Sequence, residues 1–343
     1  MKKIIINCIV IMLLLSQTSC LQTGNRRKNH KVDVYNLYIA CDSQEDTVTG
    51  IFMNEFARIL EEDSKGRIKM NTYPNSQLGS DSELIEAVQN GNISFCVGTS
   101  APQVSFVPQA AIFDAPMAFK NLKIARKVLD GPLYDKLKSY YKEKDLRLLA
   151  IADQGFRLMS SNKNINSIKD FKGIKIRTME NKNHIAFWKA IGANPTPMAW
   201  PEVYIGLEQG FIDAQENPLE LIVASKIYEK QKYIINTNHI LHSLMLIGSE
   251  KVLNDLPEDL QKTIDESAQK AKQIARAKTD LRYEGRLKII KDYGCINKDL
   301  SPQLYKDMKE ASKSIWLDME NQVDKDLINL FKSEIERSEK NEY

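Results

Sequence analysis

The chain opens its globular part with alternation. Val32 to Ala40 reads Val-Asp-Val-Tyr-Asn-Leu-Tyr-Ile-Ala, a period-two pattern that predicts a strand. In Thr47 to Glu62 the apolar residues Val48, Ile51, Phe52, Phe56, Ile59 and Leu60 recur at helical spacing, and Gly66 supplies the stop. Ile68 to Tyr73 predicts a second strand, closed by Pro74-Asn75. Ser82 to Gln89 predicts a helix broken by Gly91, and Ile93 to Val97 a third strand. Strand, helix, strand, helix, strand predicts a parallel α/β sheet. No GxGxxG follows the first strand, which argues against a dinucleotide site.

A second α/β unit begins near Leu146, with strands over Leu146–Ile151 and Ile174–Arg177 flanking a turn at Asn166–Asp170. Helices are predicted over Asn183–Ile191 and Trp200–Gln209, and Tyr233 to Ser249 returns to alternating, β-rich sequence. Glu258–Ile290 and Ser301–Glu339 predict two long helices whose mixed charges mark solvated faces packed on a scaffold.

The first residues read as an address rather than as fold. Lys2-Lys3 precedes an apolar run from Ile4 to Leu15, too short to span a bilayer and suited to the core of a signal peptide over residues 1–19. The run ends in Ser16-Gln17-Thr18-Ser19-Cys20, small residues before a Cys, which predicts lipidation at Cys20. Gln17 stands where a large aliphatic residue is usual, so an ordinary cleaved signal is the alternative. The polar residues 20–31 would be the leash of the anchor.

Composition narrows the function. The 343 residues include 48 Lys plus Arg against 45 Asp plus Glu, a net charge of +3. Without residues 1–19 the balance is 46 against 45, so no basic face for nucleic acid is expected. Beyond Cys8 and Cys20 only Cys41, Cys96 and Cys295 remain, an odd number without CxxC spacing, and neither a disulfide framework nor a zinc site is indicated. No GxSxG, GxxxxGK[ST] or HExxH occurs, so neither an enzyme nor a cofactor is expected. His239 and His242 lie three apart in a strand-like segment, on opposite faces, which excludes joint metal chelation.

Polar residues do stand at the ends of predicted strands. Arg157 follows Gly155-Phe156, Arg177 ends Ile174-Lys175-Ile176, and Asn217 lies in Gln215-Glu216-Asn217-Pro218. Open α/β sheets bind ligands at strand ends. An arginine there offers a planar fork to a carboxylate, although a surface ion pair is the commoner use of one.

Several motifs resemble one family in its own order. They include Glu62-Asp63-Ser64-Lys65-Gly66-Arg67-Ile68, Tyr73-Pro74-Asn75-Ser76-Gln77-Leu78-Gly79 and Ser167-Ile168-Lys169-Asp170-Phe171-Lys172-Gly173. Gly192-Ala193-Asn194-Pro195-Thr196-Pro197-Met198-Ala199-Trp200-Pro201 and Thr237-Asn238-His239-Ile240-Leu241 follow. Over about Tyr35 to Lys270 the chain resembles the DctP-type extracytoplasmic solute receptors of tripartite ATP-independent periplasmic (TRAP) transporters. The resemblance implies a type II periplasmic binding-protein fold, two α/β lobes with a hinge and a long C-terminal bracing helix. Lobe I would comprise 32–154 plus 243–282, and lobe II 155–242 plus 283–343.

The resemblance also assigns Arg177, Arg157 and Asn217 to a ligand carboxylate, Trp200 to an aromatic wall, and Asp81 and Asp42 to cleft-facing polar positions. Relative to the sialic-acid-binding subgroup the chain departs at Asp42, Thr99 and Pro102, where that subgroup carries Asn, an acidic residue and Arg. The carboxylate end is kept and the sugar end is changed. The implied ligand is a small organic acid of the aldonate or uronate class, with a C4-dicarboxylate or 2-oxoacid as the alternative. The implied partners are the small and large membrane subunits of a permease, with a sensor kinase or a secreted enzyme as other settings for the same unit. Membrane contact is expected through the lipid anchor only.

Overall fold

The computed structural model describes residues 33–340. The expected signal peptide, Cys20 and the leash lie outside the described residues.

Two sheets form the scaffold. The first joins β1 (Tyr35–Ala40), β2 (Ile68–Tyr73), β3 (Phe95–Thr99), β4 (Leu146–Phe156) and β10 (Leu241–Ser249) in the order β2-β1-β3-β10-β4. The second joins β5 (Leu158–Ser161), β6 (Lys175–Thr178), β7 (Asn194–Pro197), β8 (Ala214–Asn217), β9 (Tyr233–Asn236) and β11 (Ile296–Asp299) in the order β11-β9-β5-β8-β6-β7. The fully parallel sheet expected from the alternation is a mixed one. Strands β1, β2 and β3 pair in parallel, whereas β10 runs antiparallel to both β3 and β4. The reason is topological: β10 enters directly from the second sheet instead of through a helical crossover. Pro195 and Pro197 sit in β7, an edge strand, where a missing N–H costs no ladder bond.

The chain crosses between the sheets twice, side by side. Arg157 alone separates β4 from β5, and Thr237–Ile240 separate β9 from β10. The Arg157 amide donates to the Ile240 carbonyl at 2.9 Å, so the crossings are tied together at the hinge.

Helices cover the sheets as their apolar stripes require. Helix α1 (Val48–Asp63) is capped by Thr47, whose hydroxyl accepts from the Gly50 amide, and buries Val48, Phe52, Phe56 and Leu60. Helices α2 (Asp81–Asn90), α3 (Leu122–Leu129), α4 (Pro132–Lys142), α5 (Lys182–Ala190) and α6 (Leu219–Ala224) follow. Helix α7 (Glu258–Tyr293) lays Leu260, Ile264, Ala268, Ala271 and Ala275 into the core it shares with α1 and β4, and its later turns pack on α6. Arg282 and Arg286 of α7 hold Asp46, ahead of α1, and Glu220 of α6 with nitrogen–oxygen distances of 2.9–3.1 Å. The long helix therefore touches elements around both sheets.

The helix expected over Ser301–Glu339 is two helices, α8 (Pro302–Glu320) and α9 (Lys325–Lys340). Asp324 breaks it, because its carboxylate accepts from the amides of Asp326 and Leu327 and starts a new helix. Apolar Leu327, Ile328 and Phe331 then bury α9 against α3 and α4, beside the first sheet. Residues 325–340, expected in the second lobe, thus pack on α3 and α4. Among the described residues no helix is long and apolar enough to cross a membrane.

Candidate functional site

The C-terminal ends of β1, β3, β6 and β8 converge on one cleft. It encloses about 470 Å³, part of it open to solvent, and its walls include Asp42, Asp81, Thr99, Arg177, Trp200, Asn217 and His242. Strand ends supply these groups because the residue after a parallel strand leaves the ladder with its side chain free.

One wall is acidic. Asp81 opens α2 and is only 7% exposed. Its Oδ2 accepts from the Thr99 amide at 3.0 Å and from the Thr99 hydroxyl at 2.8 Å, while Oδ1 has no partner among the described residues. Room for that carboxylate comes from Gly98, where a Cβ would stand 2.9 Å from Asp81 Oδ1. Asp42 follows β1 and accepts from the Ser43 hydroxyl at 2.9 Å. Burial, with the neighbouring Asp42 charge, pushes the Asp81 carboxyl up to about 8, and burial also raises Asp42 against the lowering pull of Ser43 and Arg177. The pair therefore holds a proton that isolated carboxylates would have lost.

The opposite wall carries the cation. Arg177 in β6 is 3% exposed and donates through Nε and Nη2 to the Met198 carbonyl at 2.9 and 2.6 Å. Its guanidinium carbon lies 5.6 Å from the centre of the Trp200 ring, within cation–π range. Burial and the nearby Arg157 charge draw its pKa down to about 10, which leaves it charged at neutral pH. Asn217 in β8 donates to Gln215 Oε1 at 2.9 Å, and Gln215 donates in turn to Ser160 at 2.7 Å, which orients the amide. Trp200 is half-buried and serves both the cleft and the apolar cluster around Val203 and Ile212.

Arg157 is placed differently from the expectation. It is fully buried and is not among the residues lining the cleft. Its Nε and Nη2 pair with the Glu216 carboxylate, and Nη1 donates to His242 Nδ1 at 2.5 Å. With its donors engaged inside the protein, Arg157 stands behind the wall. Glu216 points away from Gln215 and Asn217, as alternation along β8 requires, and also accepts from His239 Nε2 at 2.9 Å. Burial disfavours the Glu216 carboxylate, but Arg157 and the two histidines His184 and His239 outweigh it and hold the group well below its usual range. His184 further approaches Asp114 at 3.3 Å. Burial opposes its protonation, and Asp114 and Glu216 reverse the balance and raise it.

His239 and His242, which the strand pattern separates onto opposite faces, both join this cluster through Glu216 and Arg157. Alternation fails because His239 precedes β10 and lies in the crossing segment, where period two does not hold. Among the described residues no group of three His, Cys, Asp or Glu side chains is placed to hold a metal ion. Cys41, Cys96 and Cys295 are buried free thiols. Ser80, Met179, Glu180 and His242 also line the cleft and carry no local sequence signal.

A family model for bacterial extracellular solute-binding proteins, family 7, matches residues 40–322. A solute-binding protein of Verminephrobacter eiseniae (strain EF01-2) is 36% identical over 243 residues, 71% of this chain and 72% of that protein. The 2,3-diketo-L-gulonate-binding periplasmic protein YiaO of Escherichia coli (strain K12) is 34% identical over 222 residues, 64% of this chain and 68% of that one. The crystal structure of the sugar acid binding protein DctPAm from Advenella mimigardefordensis strain DPN7T, in complex with galactonate, superposes with a TM-score of 0.86 at 28% identity. That match covers 89% of this chain and 99% of the other.

Proposed function

The chain belongs to the bacterial extracellular solute-binding proteins of family 7, the DctP-type receptors of TRAP transporters and not enzymes, and from that premise we propose that it captures a sugar acid and delivers it to a membrane permease. The observation that carries this reading is the opposite chemistry of the two cleft walls. Arg177 and Asn217 offer donors to one carboxylate, while Asp81 and Asp42 offer acceptors to hydroxyl groups at the other end. Thr99 helps by holding Asp81 through Oδ2, which leaves Oδ1 without a partner among the described residues. A C4-dicarboxylate such as succinate would bring a second carboxylate, and no hydroxyl groups, against that acidic pair. The aldonate or uronate class therefore fits better. The relatives named for 2,3-diketo-L-gulonate and galactonate support the same class.

Binding and transport follow from closure. A ligand touching both walls favours the closed arrangement by its differential contacts, and exclusion of water strengthens the charge-assisted bonds. The closed receptor then docks on the small and large permease subunits, tethered to the membrane through an acylated Cys20.

Thermal unfolding with D-galactonate, L-gulonate, D-glucuronate and succinate tests the reading. The sugar acids are expected to raise the midpoint more than succinate does. Arg177→Ala should abolish that rise, a loss on the order of 2–5 kcal/mol of binding energy. A rise that survives Arg177→Ala, or a preference for succinate, overturns the assignment.

A further inference from the structure

His242 is a buried histidine in β10, 2% exposed, and lines the cleft together with Arg177 and Asn217. Its Nδ1 lies 2.5 Å from Arg157 Nη1. A guanidinium has donors and no acceptor, so Nδ1 must carry the lone pair and accept. The proton of a neutral ring then sits on Nε2. That nitrogen has no hydrogen-bond partner among the described residues. Burial first, and the adjacent Arg157 charge second, keep the ring from protonating, so the tautomer and not a charged form is what the site presents. Arg157 is itself fixed by Glu216, which takes its Nε and Nη2. The chain of contacts Glu216–Arg157–His242 thus ends in one buried, unsatisfied N–H on a residue that lines the cleft. A buried donor without an acceptor is costly, and an incoming oxygen that accepts from it recovers that cost.

We propose that His242 is a ligand-binding residue whose Nε2–H donates to an acidic ligand's oxygen beside Arg177 and Asn217, and that Arg157 acts through it as a positioning residue that sets its tautomer. The identity of the incoming oxygen, though not the tautomer, rests on the sugar-acid reading above. The sequence pattern gives no hint of it, since the contact that selects the tautomer joins β10 to the crossing between β4 and β5.

Two measurements test the proposal. In ligand-free protein labelled with ¹⁵N-histidine, long-range ¹H–¹⁵N correlation should show His242 with the proton on Nε2 and none on Nδ1, assigned by its loss in His242→Asn. A proton on Nδ1 overturns the proposal. Arg157→Lys, which retains a cation for Glu216, should blur this into a mixture of tautomers; a pure Nε2–H signal would remove the positioning role. Calorimetric titration with D-galactonate, L-gulonate and D-glucuronate should then show His242→Phe weakening the best binder about tenfold or more, the loss of one hydrogen bond to a charged group. His242→Asn, which keeps an amide N–H, should restore part of that affinity. Unchanged affinity in a folded His242→Phe protein overturns the ligand contact. Should none of the three acids bind wild-type protein, the sugar-acid reading is what fails, and the tautomer spectrum decides the donor assignment.

Discussion

Arg157 and Arg177 are both buried arginines beside strand ends, and their surroundings could hardly differ more. Arg157 meets a carboxylate on the same protein, Glu216, and donates through Nη1 to His242. Among the described residues Arg177 meets the Met198 carbonyl and an aromatic face, and looks across the cleft at Asp42 and Asp81. The first cation is neutralised by the fold. The second is held desolvated with no carboxylate in ion-pair contact among the described residues, a standing cost that the proposed anionic ligand would relieve. A buried charge thus reads as structure or as binding site according to whether its counter-charge is built in.

The largest effect should come from breaking the built-in pair. Glu216→Leu leaves Arg157 buried and unpaired and is expected to cost about 3–5 kcal/mol of unfolding free energy. Arg177→Met, which removes an unpaired buried charge, should leave stability within about 1 kcal/mol of wild type or raise it. Denaturant unfolding of both variants decides the matter, and equal losses would erase the distinction. Next in size is a pH effect at the acidic wall. The folded-state pKa of Asp81, raised from 3.8 to about 8, means that the folded protein holds this proton more tightly than the unfolded chain. Its stabilising contribution is therefore complete below the unfolded value and is lost as the pH rises through about 8. In ligand-free protein the melting temperature of wild type relative to Asp81→Asn should fall steadily from pH 4 to pH 8. A flat difference across that window would contradict the buried carboxyl pair. The smallest effect belongs to the aromatic wall. Trp200→Leu keeps an apolar contact and removes the ring under Arg177, and should weaken sugar-acid binding by about 0.5–2 kcal/mol in calorimetry.

Much of the site is legible in the sequence. Asp42, Asp81, Thr99, Arg177, Trp200 and Asn217 all stand where strand ends, turns and family motifs put them, and the structure gathers them on one cleft. Arg157 shows where such reasoning stops. A strand-end arginine is equally compatible with a ligand and with a counter-ion, and Glu216, 59 positions away, supplies the counter-ion. His242 shows the converse, a residue excluded as a metal ligand by its spacing that nevertheless faces the cleft. The long helix at the C-terminus is divided by Asp324, whose amide-binding carboxylate is a local signal that apolar periodicity alone overlooks.

What the amino-acid sequence determined by itself was local or compositional. Periodicity dictated the strands and helices, and ordered motifs marked the family. These follow from contacts between near neighbours and from sums over the chain. The tertiary structure decided which strands run antiparallel, which arginine is neutralised, and which ring nitrogen carries the proton. Each of those depends on groups brought together from distant segments, where burial removes water and makes the identity of a single partner decisive.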